Sequence, residues 1–300
     1  MHGLGGPRPA LLTIAATPQQ WAGPLPDDLP EQVSRALRED IGSGDVTARL
    51  IDADAQARAR VLCRDAAVIC GTAWFNETFR QLDPAVQVHW QLRDSAAVAP
   101  GTVLCELEGQ ARALLTGERT ALNFLQLLSG TATTTARYVA AVAGSGCRVL
   151  DTRKTLPGLR TAQKYAVRCG GGQNHRLGLY DGVLIKENHI AAAGSIDAAV
   201  RNARRLSPGL PVEVETEDLE EVAAALAARC DVIMLDDFPL AALREAVKLN
   251  RTAPHAAKLE ASGGVSLEQI AAIAATGVDF ISIGGLTKHV QAVDLSMRLI

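Results

Sequence analysis

The sequence is poor in aromatic residues and lacks the short motifs that mark the common nucleotide-binding and hydrolytic sites. Phe, Trp and Tyr make up 4% of the 300 residues, whereas 48% are hydrophobic, a composition typical of a helix-rich α/β protein with an aliphatic core. No P-loop, GxGxxG after a strand, HExxH or GxSxG occurs, and each of these would indicate a defined chemistry. We therefore expect a site that binds substrates and stabilises charge without a protein nucleophile.

Cysteine pairs and long apolar runs are also missing. The six Cys residues form no CxxC and no metal-ligand spacing with His, which favours free thiols in a reducing compartment. No apolar run approaches about 18 residues, the length of a membrane span, and residues 1–20 lack the cationic and apolar regions of a secretory signal. We expect a soluble, cytoplasmic protein, with residues 1–26, rich in Gly, Pro and Ala, as a flexible arm.

Charge is nearly balanced over the whole chain but not locally. The formal net charge is −3, which argues against a nucleic-acid partner because such proteins carry a basic excess. Between Arg148 and Lys186, however, eight Lys and Arg face two Asp. Arg153, Lys154, Arg176 and Lys186 are the candidates for binding a small anion, because charge-assisted hydrogen bonds must replace its hydration. Arg160, Lys164 and Arg168 follow helical spacing, so they are also compatible with a solvated helix face.

The pattern of apolar residues divides the chain in two. Helices are predicted over 31–40 and 114–128, with strands at 59–63, 66–70 and 86–90, which describes an α+β first half. Beyond Gly146, short apolar segments alternate with amphipathic ones, at 147–151, 182–186, 212–215, 232–236, 258–262 and 280–284. Repeated βα units predict a parallel sheet. Two domains on these lines would be residues 27–121, with 290–300 packing on them, and residues 122–289.

Each predicted strand of the second half ends in a polar residue or glycine. In a β/α barrel these ends meet at one mouth, whereas a doubly wound sheet needs only one such crevice, so the pattern favours a barrel with fewer than eight strands. Glu215 and Asp236 end adjacent strands and could serve a hydrated Mg²⁺, ribose hydroxyls or a developing positive charge, or form salt bridges to Lys186 or Lys258. The turns at 262–265 and 283–286 contain paired glycines, which favour phosphate binding by backbone N–H groups.

These motifs, in this order, resemble the quinolinate phosphoribosyltransferase family. The segments that carry the resemblance are LREDIGSGDVT (37–47), GERTALNFLQLLSGTAT (117–133), DTRKTLPGLR (151–160), KYAVRCGGGQNHRLGL (164–179), LIKENHI (184–190), VEVE (212–215), IMLDD (233–237) and EASGG (260–264). The resemblance implies an N-terminal α/β sandwich, a C-terminal incomplete β/α barrel of the type II phosphoribosyltransferase fold, and a homodimer. It also implies transfer of phosphoribosyl from phosphoribosyl pyrophosphate to quinolinate with Mg²⁺, giving nicotinate mononucleotide, pyrophosphate and CO₂ in de novo NAD synthesis.

The resemblance also assigns roles to residues. It places Arg119, Arg153, His175, Arg176 and Lys186 around quinolinate and its co-substrate, with Arg119 supplied by the neighbouring subunit. Lys154 is the lysine between the two substrates, Thr152 lies beside it, and Glu215 and Asp236 are the acidic pair near the ribose and metal. The contacts to the 5′-phosphate of the co-substrate are Ser262, Gly263, Gly264, Ile283, Gly284 and Gly285. We expect Lys154, Glu215 and Asp236 to act in catalysis.

One position departs from the family pattern, and three readings of the site stay open. Asp237 stands where the family pattern has Asn, which adds a negative charge beside Asp236. A related enzyme could use another pyridine or heterocyclic carboxylate without losing CO₂. A phosphate-binding barrel without activity would bind phosphoribosyl pyrophosphate and release no pyrophosphate, and a nucleic-acid binder would show salt-dependent association.

Overall fold

The structure is a computed structural model that describes residues 23–300. The flexible arm predicted for residues 1–26 lies almost entirely outside the described residues. Within residues 23–300, none of the helices combines the length and apolar character needed to cross a bilayer.

The first part of the chain is a four-stranded antiparallel sheet covered by helices. Its elements are α1 (Leu29–Ile41), a 3₁₀ turn (Ala48–Leu50), β1 (Gln56–Cys63), β2 (Ala67–Val68), α2 (Thr72–Leu82), β3 (Gln87–Trp90), β4 (Ala97–Val98), β5 (Val103–Gln110) and α3 (Ala111–Ala141). In β1, Ala59, Val61 and Cys63 alternate with more exposed residues and face the core, as expected of a sheet with one buried face. The C-terminal strand β12 (Leu295–Leu299) pairs with β1 and completes the sheet order β12-β1-β5-β3.

The helix α3 is longer than its apolar pattern predicts. The sequence indicates residues 114–128, because Ser, Thr and Gly from 129 onwards are poor helix formers, yet α3 continues to Ala141. Those small residues make buried contacts instead: Ser129 Oγ accepts the N–H of Cys70 at 3.0 Å, and Thr133 Oγ1 accepts that of Val68 at 2.9 Å. The predicted domain boundary at 121/122 falls inside this continuous helix, and the division into domains stays a prediction.

The second part is an incomplete β/α barrel, as the fold prediction required. Its elements are β6 (Arg148–Leu150), α4 (Arg160–Cys169), β7 (Val183–Ile185), α5 (Glu187–Ala193), α6 (Ile196–Leu206), β8 (Val212–Thr216), α7 (Leu219–Ala227), β9 (Val232–Asp236), α8 (Leu240–Thr252), β10 (Lys258–Ser262), α9 (Ile270–Ala274), β11 (Phe280–Ser282) and α10 (Gly285–Lys288). The six strands are parallel in the order β6-β11-β10-β9-β8-β7, so β6 and β7 are edge strands.

The aliphatic composition accounts for how the barrel is held together. Val149, Val214, Ile233, Leu259 and Ile281, one from each of five strands, are all buried in one cluster with the apolar faces of the surrounding helices. Burial of such side chains contributes about 1.5–3 kcal/mol each relative to exposure. Because the strands are parallel, their C-terminal ends lie at the same edge of the sheet, where the predicted site residues follow.

Candidate active site

A cavity of about 240 Å³ opens at the C-terminal ends of the barrel strands. Nine of its thirteen lining residues were predicted from the sequence: Thr152, Arg153, Lys154, His175, Arg176, Lys186, Glu215, Asp236 and Ser262. They come from six separate strand ends or loops of the barrel, so only the parallel topology brings them together. We call this the cationic cavity.

A second cavity, of about 480 Å³, adjoins the first. Its lining includes the remaining predicted glycines and Ile283, together with residues that also line the cationic cavity: Thr152, Lys154, Asp236, Ser262 and Ser282. We call this the glycine cavity. Lys154 therefore lies at the junction of the two cavities. It is an exposed residue of the loop after β6, and its backbone carbonyl accepts a hydrogen bond from Thr287 Oγ1 at 2.8 Å.

The cationic cavity contains donors that have no acceptor. Within residues 23–300, seven buried side-chain polar atoms lack a hydrogen-bond partner, and five belong to this region: Arg153 Nε, Arg176 Nε, Glu213 Oε1, Glu260 Oε1 and Ser282 Oγ. Burial and the neighbouring Arg153 guanidinium lower the pKa of Arg176. Unsatisfied buried donors cost free energy, and two repelling guanidinium groups add to that cost, so an anionic ligand would stabilise this arrangement.

His175 lies at the base of the cationic cavity between two buried carboxylates. Its Nε2 is 2.7 Å from Glu213 Oε2 and 3.7 Å from Glu260 Oε2. Burial lowers the pKa of His175, but the hydrogen bond to Glu213 and the negative charges of Glu213 and Glu260 outweigh it, and the net shift is upward. Burial and the adjacent Glu213 raise the pKa of Glu260 to about 8. Glu260 and His175 therefore each hold a proton to higher pH than an ordinary carboxyl or imidazole.

A buried ion pair positions the loop that carries His175 and Arg176. Lys164 on α4 and Asp151 after β6 form a direct hydrogen-bonded pair, with 1% and 0% of their side chains exposed. Asp151 also accepts the His175 N–H at 2.9 Å and Asn174 Nδ2 at 2.6 Å, while Lys164 Nζ donates to the His175 carbonyl at 3.0 Å. The solvated helix face that remained open for Lys164 is therefore wrong, because this lysine points inward to bind the loop.

The acidic pair occupies the ends of β8 and β9. Glu215 Oε2 accepts a hydrogen bond from Lys186 Nζ. Glu215 therefore forms the salt bridge to Lys186 that the sequence allowed, and both residues also line the cationic cavity. Asp236 has no salt bridge within residues 23–300. Lys258, the other lysine considered, pairs with Asp279 at 2.6 Å instead.

The glycine cavity depends on glycine for steric reasons. Gly263 has φ +98°, and a Cβ there would lie 2.1 Å from Asp237 Oδ1; a Cβ on Gly284 would lie 2.8 Å from Lys154 Cδ. In the described chain, no acceptor is bound to the backbone N–H groups of Gly263, Gly264, Gly284 or Gly285. Ile283 differs: its side chain is buried in the core and its N–H donates to the Leu150 carbonyl at 2.9 Å. Its N–H is thus already used by the sheet.

Arg119 is the one predicted site residue that lines neither cavity. It lies exposed on α3, on the part of the helix that precedes the barrel. A third cavity, of about 420 Å³, lies between α1, α3 and residues 157–159. It contains none of the predicted site residues and no convergent set of cations, so we place the functional site at the strand ends.

The sequence reasoning missed Glu213, Glu260 and Ser282. A signal for them was available, because side chains two residues apart on a strand point to the same face. Glu213 precedes Glu215 by two positions, and Glu260 precedes Ser262 by two. Each therefore lies one layer deeper in the barrel below a residue that was identified.

The fold and the site define an α/β-barrel protein with cationic side chains gathered at its strand ends. Two family models match the chain, the N-terminal domain of quinolinate phosphoribosyl transferase over residues 45–129 and its C-terminal domain over residues 131–298. The chain belongs to the quinolinate phosphoribosyltransferase family.

Individual relatives agree with this. The chain is 45% identical over 260 residues to a probable nicotinate-nucleotide pyrophosphorylase [carboxylating] of Bacillus subtilis, which covers 86% of this chain and 89% of the relative. It is 42% identical over 275 residues to the nicotinate-nucleotide pyrophosphorylase [carboxylating] of Mycobacterium leprae, covering 90% and 96%. The solved nicotinate-nucleotide pyrophosphorylase of Francisella tularensis superposes with a TM-score of 0.89 at 45% identity, over 94% of this chain and 99% of that one.

Proposed function

We propose that this protein transfers phosphoribosyl from phosphoribosyl pyrophosphate to quinolinate, with loss of CO₂, to give nicotinate mononucleotide and pyrophosphate in NAD biosynthesis. The observation that carries the proposal is the pair of adjoining cavities joined at Lys154. One is lined by cations and the other by free backbone N–H groups. Two small polyanions that react with each other require such an arrangement.

The cationic cavity suits a planar dicarboxylate. Quinolinate has two adjacent carboxylates, and Arg153, Arg176, His175 and Lys186 surround the space they would fill. Each charge-assisted hydrogen bond contributes on the order of 1.5–3 kcal/mol, and the two orphan guanidinium Nε atoms would gain acceptors. One arginine would not neutralise a dianion, which explains why several cations converge.

The glycine cavity suits the phosphate of the co-substrate. Ser262 and the four glycines offer a hydroxyl and N–H groups at one place, a geometry that binds phosphate without a dedicated cation. Asp237, which replaces the Asn of the family pattern, is exposed beside Gly263. Its carboxylate disfavours binding of a phosphate anion in the glycine cavity by charge repulsion, but it removes none of the hydrogen-bond donors.

The reaction then needs orientation and charge stabilisation rather than a nucleophile. As pyrophosphate leaves the anomeric carbon, positive charge grows on the ribose, and Glu215 and Asp236 stabilise it while Lys154 stabilises the departing anion. The quinolinate nitrogen attacks that carbon. The ribosylated ring is then a cationic pyridinium, which can accept the electron pair left when the 2-carboxylate departs as CO₂.

The donor set at the strand ends fits Mg²⁺ that arrives with the pyrophosphate group. Glu215 and Asp236 supply carboxylate oxygens, the ligands this hard cation prefers, and Asp236 is not engaged by a cation of the described chain. When bound, Mg²⁺ would offset the negative charge of the leaving group.

We propose that the protein is a homodimer in which Arg119 completes the partner's site. Arg119 is exposed and absent from the site of its own chain. Two pairs of exposed apolar side chains are available for such an interface: Val46 and Leu50 in the first part are 72% and 85% exposed, and Leu179 and Tyr180, close in sequence to Arg176, are 73% and 74% exposed.

We also propose a cytoplasmic location. All six cysteines are free and buried. Unpaired thiols of this number are typical of proteins in a reducing compartment.

The proposed function is tested by following both products. With quinolinate labelled with ¹⁴C at the 2-carboxylate, phosphoribosyl pyrophosphate and Mg²⁺, the protein should release equimolar pyrophosphate and ¹⁴CO₂, and EDTA should stop both. Nicotinate in place of quinolinate should give little pyrophosphate. Pyrophosphate without ¹⁴CO₂ would favour a related transferase, and binding without either product would favour an inactive barrel.

The shared site predicts recovery of activity on mixing two inactive variants. Arg119→Ala and Lys154→Ala should each lose activity alone. After the subunits exchange in equal amounts, about half of the dimers are mixed, and each holds one intact site of two, so about a quarter of wild-type activity should return. If Arg119 served its own chain, the mixture would stay inactive, because every barrel would lack one of the two residues.

A further inference from the structure

The proposed reaction requires a proton that substrate binding alone does not provide. When the 2-carboxylate leaves as CO₂, the electron pair of the broken C–C bond stays on C2, next to the ribosylated ring nitrogen. Nicotinate mononucleotide carries hydrogen at C2, so one proton must be added there in each turnover. An uncaptured carbanion can also recombine with CO₂, which would slow net decarboxylation.

Most groups in the cationic cavity are poor sources of that proton. Arg153 and Arg176 keep their protons in proteins, and Lys186 donates to Glu215. Lys154 lies at the junction of the two cavities and stabilises the departing pyrophosphate in the proposed mechanism. Glu260 also lines the cavity but is 1% exposed, which leaves His175 as the group whose acid form is both accessible and able to release a proton near neutral pH.

The surroundings of His175 are arranged to hold a proton on it. Nε2 faces Glu213 and Glu260, at 2.7 and 3.7 Å, so the charged ring has its counter-charge on the barrel side. Within residues 23–300, Nδ1 makes no hydrogen bond, while the ring is part of the cavity lining. The charged groups around it come from every neighbouring element: Glu213 of β8, Glu260 of β10, Asp151 after β6, Lys164 of α4 and the adjacent Arg176.

We propose that His175 is a catalytic acid of the decarboxylation, that its imidazolium gives the Nδ1 proton to C2 after CO₂ has left, and that Glu213 and Glu260 are positioning residues. This rests on the proposed function. The C2–carboxylate bond breaks, CO₂ departs, and the electron pair left on C2 takes the proton. The imidazole is then neutral and regains one proton from solvent, so each CO₂ released consumes one proton.

Glu260 acts here through His175. The Glu260 side chain is 1% exposed, and its Oε1 has no hydrogen-bond partner among the described residues. The ionisable groups next to this carboxyl group are Glu213 and His175. Burial and Glu213 raise the pKa of Glu260 to about 8, and the net pKa shift of His175 is upward. The acid form of His175 therefore persists to higher pH than that of a free imidazole and is lost as pH rises through its raised pKa.

The first test separates proton donation from substrate binding. In His175→Gln, at saturating quinolinate, kcat for nicotinate mononucleotide should fall about a hundredfold, while pyrophosphate is still released in the first turnover. In His175→Ala, added imidazole should restore part of the rate, and only at pH values where imidazole is protonated. A raised KM for quinolinate with kcat near that of the wild type would overturn the proposal, since it would mean that His175 only binds substrate.

The second test leaves His175 in place. Glu260→Gln should move the high-pH limb of the kcat profile to lower pH, because it removes a carboxyl group 3.7 Å from Nε2 whose ionised form favours the protonated imidazole. Glu245→Gln, an exposed glutamate that pairs with Lys248 on α8, is the matched control and should keep the wild-type profile. An unchanged high-pH limb in Glu260→Gln would overturn the positioning role. It would also be overturned if the wild-type protein bound one equivalent of metal ion and Glu260→Gln did not, because Glu260 would then be a metal ligand.

Failure of the two proposals can be told apart. Wild-type protein that releases neither pyrophosphate nor CO₂ from quinolinate and phosphoribosyl pyrophosphate would reject the proposed function. Wild-type protein that releases both, with a His175→Gln variant of normal kcat, would reject only the acid role of His175.

Discussion

Lys154→Ala is expected to lower kcat by about 10²–10³-fold with a smaller change in the KM for quinolinate. Such losses are typical when a group that stabilises transition-state charge is removed. Lys154 contributes to the lining of both cavities and its carbonyl is held by Thr287. In the proposed mechanism its ammonium stabilises the negative charge that develops on the departing pyrophosphate, while Arg153 and Arg176 bind the dicarboxylate.

The measurement is steady-state kinetics with both substrates varied. Lys258→Ala is a suitable control, because Lys258 is a mostly exposed lysine that pairs with Asp279 outside both cavities, and it should retain wild-type kcat. Lys154→Arg tests whether charge alone is sufficient; the larger, planar group against Gly284 should recover little activity. A Lys154→Ala variant with normal kcat and a raised KM would show that Lys154 serves ground-state binding only.

Lys164→Met is expected to lower the free energy of unfolding by about 3–5 kcal/mol, since it leaves a buried carboxylate without its cation. Asp151 would keep only Asn174 Nδ2 and the His175 N–H as donors. Burial already raises the pKa of Asp151 and lowers the pKa of Lys164, so each charge depends on the other. The His175 carbonyl would also lose its donor, and activity should fall with stability.

Denaturation in urea, followed by circular dichroism, measures this loss. Lys248→Met is the matched control: that side chain is 69% exposed and pairs with Glu245 on the same helix, and the change should stay within about 0.5 kcal/mol. The double variant Asp151→Leu, Lys164→Met should be less destabilised than the sum of the single changes, because no unpaired charge remains. Strict additivity would show that the two side chains do not interact.

The spacing of the cationic residues on α4 does not show which of them are buried. Arg160, Lys164 and Arg168 lie on one predicted helix, and helical spacing allows a solvated face for all of them. In the structure Lys164 is buried against Asp151, whereas Arg168 stacks on Tyr165 at 5.6 Å and donates to the Pro24 carbonyl. The difference depends on which face of α4 meets the barrel, and that is decided by contacts distant in sequence.

The same reasoning applies to the deeper layer of the site. Alternation along β8 and β10 places Glu213 and Glu260 on the inner face, but a strand pattern alone does not say how close two strands bring their side chains. Only the strand order β10-β9-β8 and the path of the loop at 170–176 put both carboxylates on one imidazole. The acid–imidazole cluster is therefore a product of tertiary structure.

The sequence by itself determined the class of fold and the place of the site. Alternating apolar and amphipathic segments require a parallel sheet, and polar residues at the strand ends must then meet at one edge, because parallel strands share their direction. Tertiary structure alone decided the length of α3, the inward turn of Lys164 and the two carboxylates behind His175. Each of these depends on burial against residues far along the chain, where packing outweighs local propensity.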